Sequence, residues 1–144
     1  RHGSYLYGDL SVLENIRFAI GLRGGEPTGP EIKRALDRVG IGAFASLKSR
    51  HLSAGMKKRL SIAKAMLARP SVLLLDEAYA SLDERGVDMM NAYIREVTLE
   101  GTTVLITAHD RAKTAEVAHR AGVLNRGELR ELAISELLTA HALF

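Results

Sequence analysis

Residues Leu52 to Asp83 read LSAGMKKRLSIAKAMLARPSVLLLDEAYASLD. Three elements are written into these residues. Ser53 is placed to cap a helix, because a Ser hydroxyl can accept from a first-turn N–H. Leu60, Ala63, Lys64 and Leu67 mark the turns of that helix. It must end before Pro70, since proline lacks an N–H and restricts the residue before it. Val72 to Leu75 is a short, wholly apolar run, as expected for a parallel strand covered on both faces. Asp83 is placed to cap a further helix reaching about Glu100.

Further along the chain, Thr102 to Ala108 is a second β-rich run and Arg111 to Val117 reads as a helix. Ala121 to Leu124 is a third strand, Asn125-Arg126-Gly127 a turn, and Glu128 to Leu132 an antiparallel return. Ser135 starts a last helix. Upstream, Ser11-Val12-Leu13-Glu14 has the form of a capping box and opens a helix through about Leu22. Gly21, Gly24 and Gly25 weaken and end it, and Glu26 to Gly29 reads as a loop. Pro30 suits the first turn of a second helix carrying Ile32, Leu36 and Val39 and stopping at Gly40. A short helical piece follows at Ala43 to Leu47. Strands alternating with helices argue for an α/β fold with a parallel sheet, preceded by a small helical subdomain from about Ser11 to Leu47.

Composition narrows the function classes. The chain has 144 residues, 47% of them apolar, which suffices for a core and excludes a disordered tail. It has no Cys, hence no disulfide framework and no thiolate metal site. No apolar run approaches the roughly 18 residues of a membrane span. The formal charge is +3, with one short basic cluster, Lys57-Lys58-Arg59, which reads as a solvated helix face. Aromatics are 5% and the cations are scattered, so nucleic acid is not an expected partner.

Three places carry chemistry. Asp76 and Glu77 follow an apolar strand, and ligands in open α/β sheets bind beyond C-terminal strand ends. An Asp there can hold a hydrated Mg²⁺, and a neighbouring Glu can orient or deprotonate an attacking water. His109 follows the second strand and can reach a phosphate or that water. Ser53, Ala54, Gly55 and Met56 open a helix, where N–H groups and the helix dipole attract phosphate. Each signal alone has an ordinary counterpart: an acid capping a turn, a surface His, a plain N-cap.

As a set, in this order and spacing, they resemble the ATP-binding subunits of the ATP-binding-cassette (ABC) transporter family. Leu52 to Met56 looks like that family's signature motif, usually LSGGQ, with Ala54 and Met56 as departures. Val72 to Glu77 looks like its Walker B motif, and Ala80-Ser81-Leu82-Asp83 like its D-loop. His109 falls where its switch histidine lies, and Arg120 to Arg130 looks like the strand-turn-strand after it. Tyr5 to Asn15 resembles the region after the Q-loop, which puts His2 where the family usually has Gln. No Gly-x-x-x-x-Gly-Lys-Ser/Thr occurs in the sequence, and there is no initial Met.

The resemblance implies a P-loop NTPase-like ABC core lacking its N-terminal strands and P-loop, which would precede Arg1. Residues 1–52 would hold the Q-loop end and helical subdomain. Residues 53–144 would hold the signature helix, Walker B, D-loop and switch region. It implies ATP and Mg²⁺ as cofactors, with Asp76 on the metal and Glu77 and His109 catalytic. Ser53, Ala54, Gly55, Met56, Asp83 and His2 would contact nucleotide, the signature acting on ATP held by a second nucleotide-binding subunit. The remaining partners would be transmembrane permease subunits, with this subunit peripheral on the cytoplasmic membrane face. Alone, the chain would be inactive. The Leu-Ser-Ala-Gly form, His2 and the short helical subdomain lean towards haem exporters of cytochrome c maturation. A chromosome-maintenance ATPase would need a long coiled coil between Asn15 and Ser53, which is not there. A binding module that kept the fold without activity is a further alternative.

Overall fold

The computed structural model describes residues 6–139. Helix α1, Val12–Gly21, opens on the expected capping box: the Ser11 hydroxyl accepts from the Glu14 N–H, and the Glu14 carboxylate accepts from the Ser11 N–H. Helix α2, Gly29–Arg38, starts on a second capping box, Thr28 with Glu31, and Pro30 lies in its first turn. The proline alone signals this start in the sequence reading; the Thr28-x-x-Glu31 pair fixes it. Two single-turn 3-10 helices, Gly42–Phe44 and Ser49–His51, then lead into α3, Ala54–Ala68. The first of them replaces the longer helical piece expected up to Leu47.

Ser53 caps α3 by accepting from the Met56 N–H at 3.2 Å, and Arg69 ends it in the left-handed conformation. Strand β1, Val72–Leu75, follows, then α4, Glu84–Leu99, capped by Asp83. Strand β2, Thr103–Ile106, pairs with β1 in parallel, Leu75 opposite Ile106. Helix α5, Arg111–Ala115, leads to the antiparallel hairpin of β3, Ala121–Asn125, and β4, Glu128–Leu132. Helix α6, Ile134–Thr139, begins one residue before the expected start at Ser135.

One apolar cluster runs from α1 and α2 through α3 to α4 and β1, with Ile16, Leu36, Leu60, Met90 and Leu73 among its members. One sequence expectation changes. The apolar strand is covered on one face only: Leu73 is buried, while Val72 and Leu74 are 56% and 68% exposed. Among the described residues β1 has β2 as its strand neighbour, and no second layer lies on that outer face. The third strand forms the expected antiparallel hairpin: among the described residues β3 pairs with β4.

Candidate functional site

The parallel register decides the site. Because Leu75 lies level with Ile106, Asp76 and Glu77 leave β1 beside Thr107 and Ala108 as these leave β2. Thr107 knits the two ends together. Its hydroxyl donates to Asp76 Oδ1 at 2.6 Å and accepts from the Glu77 N–H at 2.9 Å. Its carbonyl accepts from the Ala78 N–H at 3.1 Å. His109, two residues on, holds its Nε2 3.9 Å from Glu77 Oε1, and its side chain is 95% exposed. Two carboxylates and an imidazole therefore share the C-terminal end of one parallel strand pair. The Asp76 residue is exposed and Glu77 half-buried. A carboxylate so placed can polarise a water, and the adjacent imidazole can donate to an anion or to that water.

The backbone here is bent. Glu77 has φ 47° and Ser81 φ 64°, left-handed values that cost a non-glycine residue of order 1–3 kcal/mol. Helix α3 holds this bend at three points. Lys58 Nζ donates to the carbonyls of Asp76 and Glu77 at 3.1 and 3.0 Å. Gly55 packs so close to the Ser81 carbonyl that a Cβ would lie 2.7 Å from its oxygen. Arg59 donates to Asp83 Oδ1 at 2.5 Å and to the Val39 carbonyl at 2.8 Å. The Gly86 N–H also donates to Asp83 Oδ1, and these contacts hold the Asp83 carboxyl below its usual range, the Gly86 bond foremost.

The basic cluster is thus not a solvated face. The Arg59 side chain is only 18% exposed, and Lys58 is half-buried, because α3 presents them to the 76–83 turn and to the end of α2. Ser53 and Ala54 are exposed, and Gly55 and Met56 half-buried, at the start of the same helix. His2 lies outside the described residues.

The family model described as "ABC transporter" matches residues 2–80. The chain belongs to the ABC transporter family. It is 32% identical to a sulfate/thiosulfate import ATP-binding protein of Rhizobium meliloti, over 94% of this chain and 41% of that protein. It is 38% identical to an energy-coupling factor transporter ATP-binding protein of Lacticaseibacillus paracasei, over 92% of this chain and 49% of that one. A cytochrome c biogenesis ATP-binding export protein of Alcanivorax borkumensis is 34% identical, over 83% of this chain and 55% of its own length. The chain thus spans about half the length of the curated relatives it matches.

Of the residues singled out in the sequence, the structure brings Glu77 and His109 together at the strand end that Asp76 also leaves. The sequence reading missed Thr107, which the parallel register, Leu75 opposite Ile106, puts level with Asp76. It also missed Lys58 and Arg59, which no periodicity separates from solvated cations. Among the described residues no helix is long and apolar enough to cross a membrane.

Proposed function

We propose that this chain is part of the ATP-binding and ATP-hydrolysing subunit of an ABC transporter. The observation that carries the reading is the meeting of Glu77 and His109, 3.9 Å apart, at the end of one parallel strand pair whose Asp76 is tied to Thr107. Glu77 orients and deprotonates the attacking water, and His109 contacts the γ-phosphate and that water. The donor set suits a hydrated Mg²⁺: Asp76 offers hard carboxylate oxygen, and the remaining ligands of such an ion come from water and phosphate. Bound Mg²⁺ supplies charge neutralisation of the transferring phosphoryl group. Ser53, Ala54, Gly55 and Met56 meet the ATP held by a second nucleotide-binding subunit, Asp83 bridges the two subunits, and His2 stands at the Q-loop position.

Residues 1–52 then form the Q-loop end and helical subdomain, and residues 53–144 the signature, Walker B, D-loop and switch region. Permease subunits are the membrane partners, and the subunit sits peripherally on the cytoplasmic face. Residues 1–144 alone, holding no phosphate-binding Gly-Lys loop, turn over no ATP. Relatives named for import and for export match this chain at similar identity.

The test uses the full-length protein. Glu77→Gln keeps ATP affinity, loses most turnover and accumulates an ATP-dependent dimer in size-exclusion chromatography. Adding Ser53→Asp abolishes that dimer, because a carboxylate that caps α3 well meets the γ-phosphate with like charge. A Ser53→Asp protein that still dimerises with ATP makes Ser53 an N-cap and nothing more.

A further inference from the structure

The Glu77 carboxylate is aimed by its backbone, and that backbone sits in a conformation that glutamate does not choose by itself. At φ 47° it is left-handed, and such a residue persists only where its surroundings over-determine it. From the β2 side, Thr107 holds the Glu77 N–H and, through its carbonyl, the Ala78 N–H. From the opposite side, two carbonyls, those of Asp76 and Glu77, converge on one point. Lys58 Nζ occupies that point, 3.1 and 3.0 Å from their oxygens.

An ammonium is suited to the place. It has three donors and no acceptor, so it can serve both oxygens at once. Two carbonyl dipoles facing each other without a donor between them repel. The Lys58 residue is half-buried; burial draws its pKa down, and the nearby Asp76 and Glu77 charges oppose that change.

We infer that Lys58 is a positioning residue for Glu77: its ammonium locks the carbonyls of residues 76 and 77 and so fixes where the Glu77 carboxylate points. The inference rests on the reading of Glu77 as the residue that activates water. Lys58 touches neither substrate nor water in this role. Its loss therefore lowers turnover and leaves nucleotide affinity in place.

The experiment compares full-length Lys58→Met, Lys58→Ala, Lys58→Gln and Glu77→Gln by steady-state ATP turnover, ATP affinity and urea unfolding. Lys58→Met removes the ammonium with all its donors while keeping an unbranched side chain one atom shorter. Its kcat is expected to fall on the order of 10²-fold, the usual consequence of misplacing a catalytic group by about 1 Å, with ATP affinity unchanged. Lys58→Gln is expected to recover much of the loss, since its amide carries two donors. Where Lys58→Met does not fold, Lys58→Ala carries the same comparison, because alanine keeps the helix and removes the ammonium.

A folded Lys58→Met or Lys58→Ala protein with parental kcat overturns the inference. So does a Lys58→Gln protein no more active than Lys58→Met at equal stability. Glu77→Gln separates the two levels. If it retains turnover, the role given to Glu77 fails. If it is inactive while Lys58→Met and Lys58→Ala turn over normally, only the role of Lys58 fails.

Discussion

Gly55→Ala sets two physical effects against each other, and the structure decides the sign. Gly55 is the second residue of α3, and alanine is the better helix former by up to about 1 kcal/mol in a helix interior. In the first turn roughly half of that gain, about 0.5 kcal/mol, is available. The opposing effect is steric. An added Cβ lies 2.7 Å from the Ser81 carbonyl oxygen, a separation that real Cβ atoms essentially never show. The obstacle is backbone, and it cannot swing aside as a long side chain can. Ser81 is already left-handed at φ 64°, and α3 is held against the same turn by Lys58 and Arg59. Overpacking costs about 1–3 kcal/mol, and an immovable neighbour puts this case in the upper half. The expected net effect is a loss of about 1.5–2.5 kcal/mol. Urea unfolding of the full-length variant measures it as a lower midpoint at unchanged slope. A Gly55→Ala protein as stable as the parent, or more so, would refute the packing argument and leave Gly55 with no role in its own subunit.

Two further outcomes follow from buried or strongly held polar groups. Asn15 is buried and donates through its amide to the carbonyls of Tyr7, Leu10 and Ser11 while accepting from the Tyr7 N–H; Asn15→Leu is expected to cost about 3 kcal/mol in urea unfolding, and a loss under 1 kcal/mol would show that water replaces the amide. Asp83 has its carboxyl pKa depressed in the folded state, so it binds a proton less readily folded than unfolded, and its stabilisation is present above about pH 4 and lost as pH falls through the folded value. The stability difference between parent and Asp83→Ala should therefore be full at neutral pH and close on acidification; a difference that stays constant into strong acid rules out that linkage.

The local signals in the sequence were reliable where they were backbone chemistry. Ser11 with Glu14, Ser53, Asp83 and Pro70 each mark a helix boundary through groups that act within four residues. The apolar run at Val72–Leu75 and the β-rich run from Thr102 to Ala108 were legible as strands, and the structure brings Glu77 and His109, which follow them, within 3.9 Å. What escaped was long-range. The burial of one strand face depends on which layers pack against it, and a four-residue apolar run carries no information about that. The pairing of β3 with β4, by contrast, was legible: it is set by the tight Asn125-Arg126-Gly127 turn, where Arg126 and Gly127 both take positive φ.

The second miss is more instructive, because it concerns one helix face. Gly55, Lys58 and Arg59 are three and four residues apart, the spacing that stacks side chains on one side of an α-helix. Periodicity can group them, but it cannot say what lies opposite. Opposite lies the turn from Asp76 to Asp83, and each of the three meets a different part of it: Ser81, the Asp76 and Glu77 carbonyls, and the Asp83 carboxylate. A glycine admits backbone, a lysine spans two carbonyls, and an arginine reaches a carboxylate and the end of α2 together. Those demands differ in size and charge, so on paper the face reads as an unremarkable small-and-basic stretch. In the fold the same residues hold a turn whose two left-handed residues need holding. The side of α3 most readily dismissed as solvated is therefore the side that shapes the turn carrying Asp76 and Glu77.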